Sequence, residues 1–145
     1  MPFSRSSLGP SSPGRNAPLA FGLAALVLAS AVGGGWWWRE RQETLHRAVL
    51  LTGGDPARGQ GLIRYYGCAG CHVVPGVAGA KGQVGPTLQG VAARVYLAGS
   101  LENTPGTLIR WIEDPRALDP RTAMPRTGAT GRDARDIAAY LSTLR

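Results

Sequence analysis

Between Asn16 and Trp38 the chain carries no charge at all: NAPLAFGLAALVLASAVGGGWWW. As a helix rising 1.5 Å per residue, such a run spans the ~30 Å hydrocarbon core of a bilayer. Trp36, Trp37 and Trp38 close it and Arg39 follows, the order expected of an aromatic belt at a membrane surface. A second reading competes. A basic start, an apolar Leu19–Leu28 run and Ala29-Ser30-Ala31 together fit a cleaved signal peptide. The three tryptophans favour an uncleaved transmembrane anchor over residues 17–38, and either reading takes the remainder out of the cytoplasm. Arg5 and Arg15 on one side against Arg39, Arg41 and Arg47 on the other leave the orientation open. Residues 1–16, rich in Ser, Pro and Gly, predict a disordered cap.

After the tryptophans the pattern changes. Residues 39–54, RERQETLHRAVLLTGG, place Leu45, Ala48 and Val49 at helical spacing and end in two glycines, predicting a helical stalk. Glu43 and Arg47 stand four apart and predict a surface ion pair. Three further helices are expected in residues 55–145. The first is capped by Asp55, has Pro56 at its first position and runs to about Tyr66. The second starts near Thr104-Pro105, carries Leu108, Ile109, Trp111 and Ile112, and ends before Pro115. The third opens at Thr130 with Asp133 three residues on, a capping box, and continues through Ala134, Ile137, Ala138, Leu141 and Leu144 as an apolar stripe. No run alternates with a period of two, so the domain reads as helix and loop.

Composition narrows the picture. The chain has 145 residues with 21 glycines and 11 prolines, which suits one small, turn-rich domain with appendages. Its formal charge is +7, and all but two of its basic residues follow Trp38. The arginines are scattered and no nucleic-acid motif accompanies them, which argues against a nucleic-acid partner. A basic surface of this kind suits a soluble face or a docking patch for an acidic protein. Ninety or so residues make a marginal core of ordinary side chains, so an added staple would help.

The candidate staple is GCAGCHVV (67–74), which holds both cysteines of the chain and one of its two histidines. A disulfide between Cys68 and Cys71 would close a very small loop and stabilise little. A thioredoxin-like dithiol needs a βαβ setting that the sequence lacks. Zinc needs about four ligands, whereas the whole inventory is Cys68, Cys71, His72 and the distant His46. Haem fits. At the end of a helix, positions i and i+3 share a face, so two thiols reach neighbouring edges of one porphyrin and the next residue, His72, turns beneath the iron. C-x-x-C-H is the attachment pattern of c-type haem, and here it uses every cysteine.

The iron's other face can take Met, His, Lys or nothing. Met1 lies across the anchor, His46 would have to fold back from the stalk, and Lys81 sits in a glycine-rich loop. Met124 lies in the segment TAMP, where Pro125 keeps its backbone extended. A lone methionine is by default core filling, but here it is the best remaining ligand. Met/His ligation raises the potential of the iron and leaves no open position for a substrate.

Taken together, residues 55–145 resemble class I cytochrome c. GDPARG (54–59) is similar to the family's first helix, GCAGCH to its attachment site and GPTLQG (85–90) to its proline loop. The resemblance implies that the Pro86 carbonyl accepts from the His72 ring, and that Arg94 meets a haem propionate. TLIRWIEDPRALDPRTAM (107–124) resembles the helix-to-methionine segment, with Trp111 either packing the core or touching haem. IAAYLSTL (137–144) resembles the closing helix, where Tyr140 would cross a small residue of the first helix, Gly59 or Gly61. AGSLENTPGTLIRWI (98–112) looks more like bacterial cytochrome c domains associated with terminal oxidases, including those fused to oxidase subunit II, than like the mitochondrial carrier. Yet no copper-binding domain accompanies it.

The resemblance implies an all-α fold: three main helices and loops around one covalent haem c, preceded by one N-terminal transmembrane helix. It also implies a function without catalysis. A membrane-tethered monohaem carrier would pass single electrons between a quinol-oxidising complex and a terminal oxidase, its C-terminal domain in the periplasm, with no nucleic acid involved. A permanently bound subunit of an oxidase or dehydrogenase is the alternative. A haem sensor or peroxidase would need a five-coordinate iron, which Met124 argues against.

Overall fold

The structure, a computed structural model, describes residues 17–145, with side chains from Phe21 onward. The expected cap, 1–16, lies outside the described residues. The first element, α1 (Ala17–Thr52), is one unbroken helix. The chain divides into two compact units at Arg39/Glu40, within this helix. In the first unit the apolar side chains are exposed, among them Phe21, Leu26, Val32 and Trp36 to Trp38. The helix is long and apolar enough to cross a membrane.

The second unit begins with the polar turns of α1. Here the expected stalk does more than stand clear: Ala48 and Thr52 are buried and Leu45 is half-buried, while Val49, Leu50 and Leu51 face outward. No ion pair joins Glu43 to Arg47, whose side chains remain exposed. The two glycines stop the helix by different means. Gly53 takes a left-handed turn, φ 65°, and its N–H donates to the Val49 carbonyl at 2.8 Å. Gly54 passes so close to the last helix that a Cβ there would lie 2.2 Å from the Arg135 carbonyl oxygen.

The next helix, α2 (Pro56–Tyr65), starts as its sequence demands. The Asp55 carboxylate caps the N–H groups of Ala57 and Arg58, and Pro56 supplies a preset φ. A single turn, α3 (Cys68–Cys71), follows a left-handed Gly67 at φ 73°. A loop then returns through an isolated antiparallel bridge between Val73 and Lys81, and a 3-10 turn spans Val91–Ala93. Two strands that periodicity did not announce, β1 (Tyr96–Leu97) and β2 (Leu101–Glu102), form a two-residue hairpin. With only one buried residue, Leu97, it is too short to leave an alternating pattern. The fold remains helical around this small ribbon.

Thr104 caps α4 (Pro105–Glu113), and Asp114 caps a one-turn α5 (Pro115–Leu118). The last helix is α6 (Gly131–Leu141). It starts where expected, at Thr130, but the capping box does not form. Thr130 makes no side-chain cap bond, and the Asp133 carboxylate accepts instead from the Tyr66 hydroxyl at 2.7 Å and from Arg58 at 3.1 Å. The helix also ends before Leu144, which still packs on the core from the following turn.

The core gathers where α2, α4 and α6 meet, around Ile63, Leu108, Ile112, Ile137 and Leu141. Gly59 sets the approach of α2 to α6. A Cβ there would lie 1.9 Å from the Asp136 carbonyl oxygen and 3.0 Å from Tyr140 Cβ, whereas Gly61 has open space around it. Tyr140 then reaches past α2 and donates its hydroxyl to the Pro75 carbonyl at 2.6 Å, pinning the loop after α3.

Candidate haem site

A cavity of about 610 Å³ opens inside the helical unit. Cys68, Cys71, His72, Pro86, Arg94, Trp111 and Met124 all line it, so every site residue expected from the sequence reaches one space. The rest of its wall is largely apolar, with Ile63, Val91, Leu97, Leu108, Ile112, Ile137 and Leu141 prominent. None of the rival ligands does so: His46 and Lys81 are exposed and lie outside the lining. Met1 is outside the described residues.

α3 puts both thiols on one turn. Its short helix closes with the His72 N–H donating to the Cys68 carbonyl at 3.0 Å, after which the backbone of His72 becomes extended. Both cysteines are free thiols, half-buried. Burial pushes the Cys68 thiol up, which keeps it protonated in a chain without its cofactor.

The orientation of His72 comes from residues 82–88. His72 Nδ1 lies 2.7 Å from the Pro86 carbonyl oxygen. A carbonyl can only accept, so Nδ1 carries the proton and the lone pair is left on Nε2. Gly85 allows this: a Cβ there would lie 2.3 Å from His72 Cε1, inside the ring's contact distance. The same segment is laced to the motif by the Gly85 N–H, which donates to the Cys71 carbonyl at 2.8 Å, and by the Leu88 N–H, which donates to Val73 at 2.8 Å. Gly82 approaches as closely, 2.3 Å from a Cβ to the Gly70 carbonyl oxygen.

Arg94 is half-buried, and its Nη2 donates to the carbonyls of Thr87 and Gln89. Asn103 fixes the turn that carries it, donating to the Val91 and Arg94 carbonyls at 2.8 Å each. Trp111 is half-buried on the cavity wall, one turn from the buried Leu108. Met124 is half-buried, its N–H donating to Thr122 Oγ1 at 3.2 Å.

These residues fit haem c. Protein interiors pack without large voids. A space of about 610 Å³ is far too large to be a packing defect. An apolar space of this size therefore needs an occupant. Its lining supplies two thiols for attachment, a histidine lone pair, a thioether and an apolar wall, the donor set that haem c requires. Among the described residues, no group of three or more His, Cys, Asp or Glu side chains could hold a bare metal ion instead.

The sequence did not single out Gly82, Gly85 or Tyr66. Tyr66 lines the cavity, stands edge-on to the exposed Tyr65 with ring centroids 5.0 Å apart, and is tied to α6 through Asp133. An aromatic residue two places before the first cysteine was the available signal.

The family model described as cytochrome c matches residues 56–145. Cytochrome c oxidase subunit 2 of Alkalihalophilus pseudofirmus is 33% identical over 89 residues. The aligned part covers 61% of this chain but only 25% of that protein. No solved structure matches the chain. With the motif and the cavity in agreement with a match over most of its length, the chain belongs to the cytochrome c family, whose domain binds covalent haem c and carries electrons rather than acting as an enzyme by itself.

Proposed function

We propose that this protein is a membrane-tethered monohaem cytochrome that passes single electrons between respiratory complexes, toward a terminal oxidase. One observation carries the reading: Cys68, Cys71, His72 and Met124 face a single cavity, with the histidine already turned by Pro86. Haem c bound there supplies a one-electron iron couple.

The chain's own residues do the rest. Cys68 and Cys71, free thiols on one turn, would attach the cofactor through thioether bonds. His72 offers Nε2 to the iron, and the Pro86 carbonyl holds its Nδ1 proton so that the ring neither rotates nor changes tautomer. Met124, on the wall of the same cavity, would offer its thioether as a second ligand, which would leave no open site for a substrate. Ile63, Leu108 and Ile137 exclude water, and Trp111 supplies a flat wall. Arg94, held by the Thr87 and Gln89 carbonyls, offers its charge to a propionate. A fixed shell of this kind suits electron transfer, because little has to move when the charge changes.

The exposed apolar turns of α1 before Arg39 support a single-pass anchor at the cytoplasmic membrane, and the resemblance to cytochromes whose haem is attached outside that membrane favours a periplasmic C-terminal domain. Tethering raises the effective concentration of the carrier near membrane partners. Similarity to part of an oxidase subunit favours an oxidase as acceptor, and a quinol-oxidising complex would then be the donor. The same similarity favours a second reading, a subunit held permanently in an oxidase or dehydrogenase.

Purification from native membranes tests both. One haem per chain, a low-spin ferric spectrum with the far-red methionine-to-iron band, and retention of residues 1–31 by mass are expected. Recovery as a free protein in mild detergent supports the carrier, and stoichiometric recovery with a large complex supports the subunit. A protein without covalent haem overturns both readings.

A further inference from the structure

We propose that the acidic end of α4 is a latch for Met124, and that the Asp114–Arg126 ion pair sets how firmly the thioether stays on the iron. This rests on Met124 being a ligand. Between Ala123 and Gly131 the backbone has little to hold it. The Met124 N–H reaches only Thr122 Oγ1, and the Ala129 N–H only Thr127 Oγ1 at 3.3 Å. Ala129 is buried in the core, and among the described residues two polar interactions carry this segment across to another element. Arg126 Nη2 donates to Asp114 Oδ2, and the Gly131 N–H donates to Glu113 Oε1 at 2.8 Å.

Both end on consecutive residues at the C-terminus of α4. The same helix lines the cavity with Leu108, Trp111 and Ile112. One rigid element thus touches the haem space and grips the segment that presents Met124, at two points downstream of that residue. A methionine sulfur is neutral and a modest ligand, so its hold depends on how much freedom the loop gains when it leaves. Loss of the ion pair raises the population of the detached loop. A competing ligand then binds more tightly in proportion, because its apparent affinity scales with the fraction of protein in the open state.

Imidazole binding to the ferric holoprotein measures that fraction. Asp114→Asn removes the charge but keeps the oxygen that caps α5 at the Ala117 N–H. It is expected to tighten imidazole binding roughly two- to fivefold, the range of a partly exposed ion pair. Arg126→Gln should do the same from the other side, and the double variant should add little to either, since both remove one interaction. Thermal unfolding, measured in parallel, separates this from a merely structural role, which would lower the melting temperature and leave imidazole affinity where it was.

Met124→Ala tells the two layers apart. It should lose the far-red band and bind imidazole most tightly of all. If it does, and both Asp114→Asn and Arg126→Gln bind imidazole as the parent does, the latch is wrong and the ligand stands. If Met124→Ala keeps the band and the parent's affinity, the ligand assignment fails and the latch fails with it.

Discussion

The carboxylate of Asp136 accepts from the backbone N–H of Asp55 at 2.7 Å, joining α6 to the start of α2 across most of the domain's sequence. Its second oxygen accepts from Arg58, and the side chain is 1% exposed. Helix capping by Asp55, the approach of the helices at Gly59 and this buried acid therefore form one joint.

Removing that acid should destabilise the domain strongly. Asp136→Ala leaves the Asp55 N–H without its acceptor and takes from Arg58 one of its two carboxylates, and a loss of about 2–4 kcal/mol is expected. Guanidinium unfolding of the ferric holoprotein, followed by far-UV circular dichroism, measures it through the midpoint at constant slope. A loss below 0.5 kcal/mol, on the order of an exposed substitution, would mean that the joint is not structural.

Gly85→Ala should act on the iron rather than on the helices. The new methyl would lie 2.3 Å from His72 Cε1, so either the ring or the proline loop must give way. Overpacking of this kind costs about 1–3 kcal/mol, and here it also loosens the Pro86 bond to Nδ1. A lowered yield of holoprotein and a shifted reduction potential are expected, by haem staining and spectroelectrochemistry. An unchanged potential would show that His72 tolerates displacement.

The domain should not survive without its cofactor. Cys68→Ser with Cys71→Ser removes covalent attachment and leaves the large apolar cavity to water. Far-UV circular dichroism should show loss of the helix contributed by α2 to α6 in the double variant produced without haem, with the membrane-spanning part of α1 retained. Native-like, cooperative unfolding would contradict the packing argument.

Acid and alkali should each attack the Tyr66–Asp133 contact. The Tyr66 hydroxyl, and then Arg58, holds the Asp133 carboxyl below the usual carboxylate range. A depressed folded value contributes stability above the unfolded value, near 4, and that contribution fades as the pH falls through the folded one. Tyr66 is shifted the other way, raised chiefly by its bond to Asp133 and then by burial. Its contribution is complete below the unfolded value near 10 and fades as the pH rises through the folded one. Tyr66→Phe should flatten both limbs of the stability–pH curve. Limbs identical to those of the parent would show that the bond is not linked to folding.

Local chemistry was legible from the sequence because it acts over a few residues. Asp55-Pro56 and Thr104-Pro105 start their helices as expected, since cap oxygen and fixed φ need no distant partner. Cys68, Cys71 and His72 fall on one turn for the same reason. Asp133 shows where this stops: its spacing from Thr130 suits a cap, but Tyr66 and Arg58 compete for the carboxylate from another helix. The close approaches of Gly54, Gly59, Gly82 and Gly85 are likewise long-range facts, because nothing nearby in sequence says what lies opposite a missing side chain. Exhausting the alternatives points to Met124 as a candidate ligand, and it lines the cavity, while the Glu113 and Asp114 contacts that hold its segment depend on how α4 meets the loop.

The end of α1 carries a lesson for anyone shortening this protein. Ala48 and Thr52 are buried, and the Thr52 hydroxyl receives the Gly54 N–H at 3.2 Å while donating to the Ala48 carbonyl. A soluble fragment trimmed to begin at Asp55, the apparent edge of the cytochrome by motif, would uncover what those turns now shield. The scissors belong upstream of Thr44, so that the last two turns of the helix travel with the haem domain as part of its own wall.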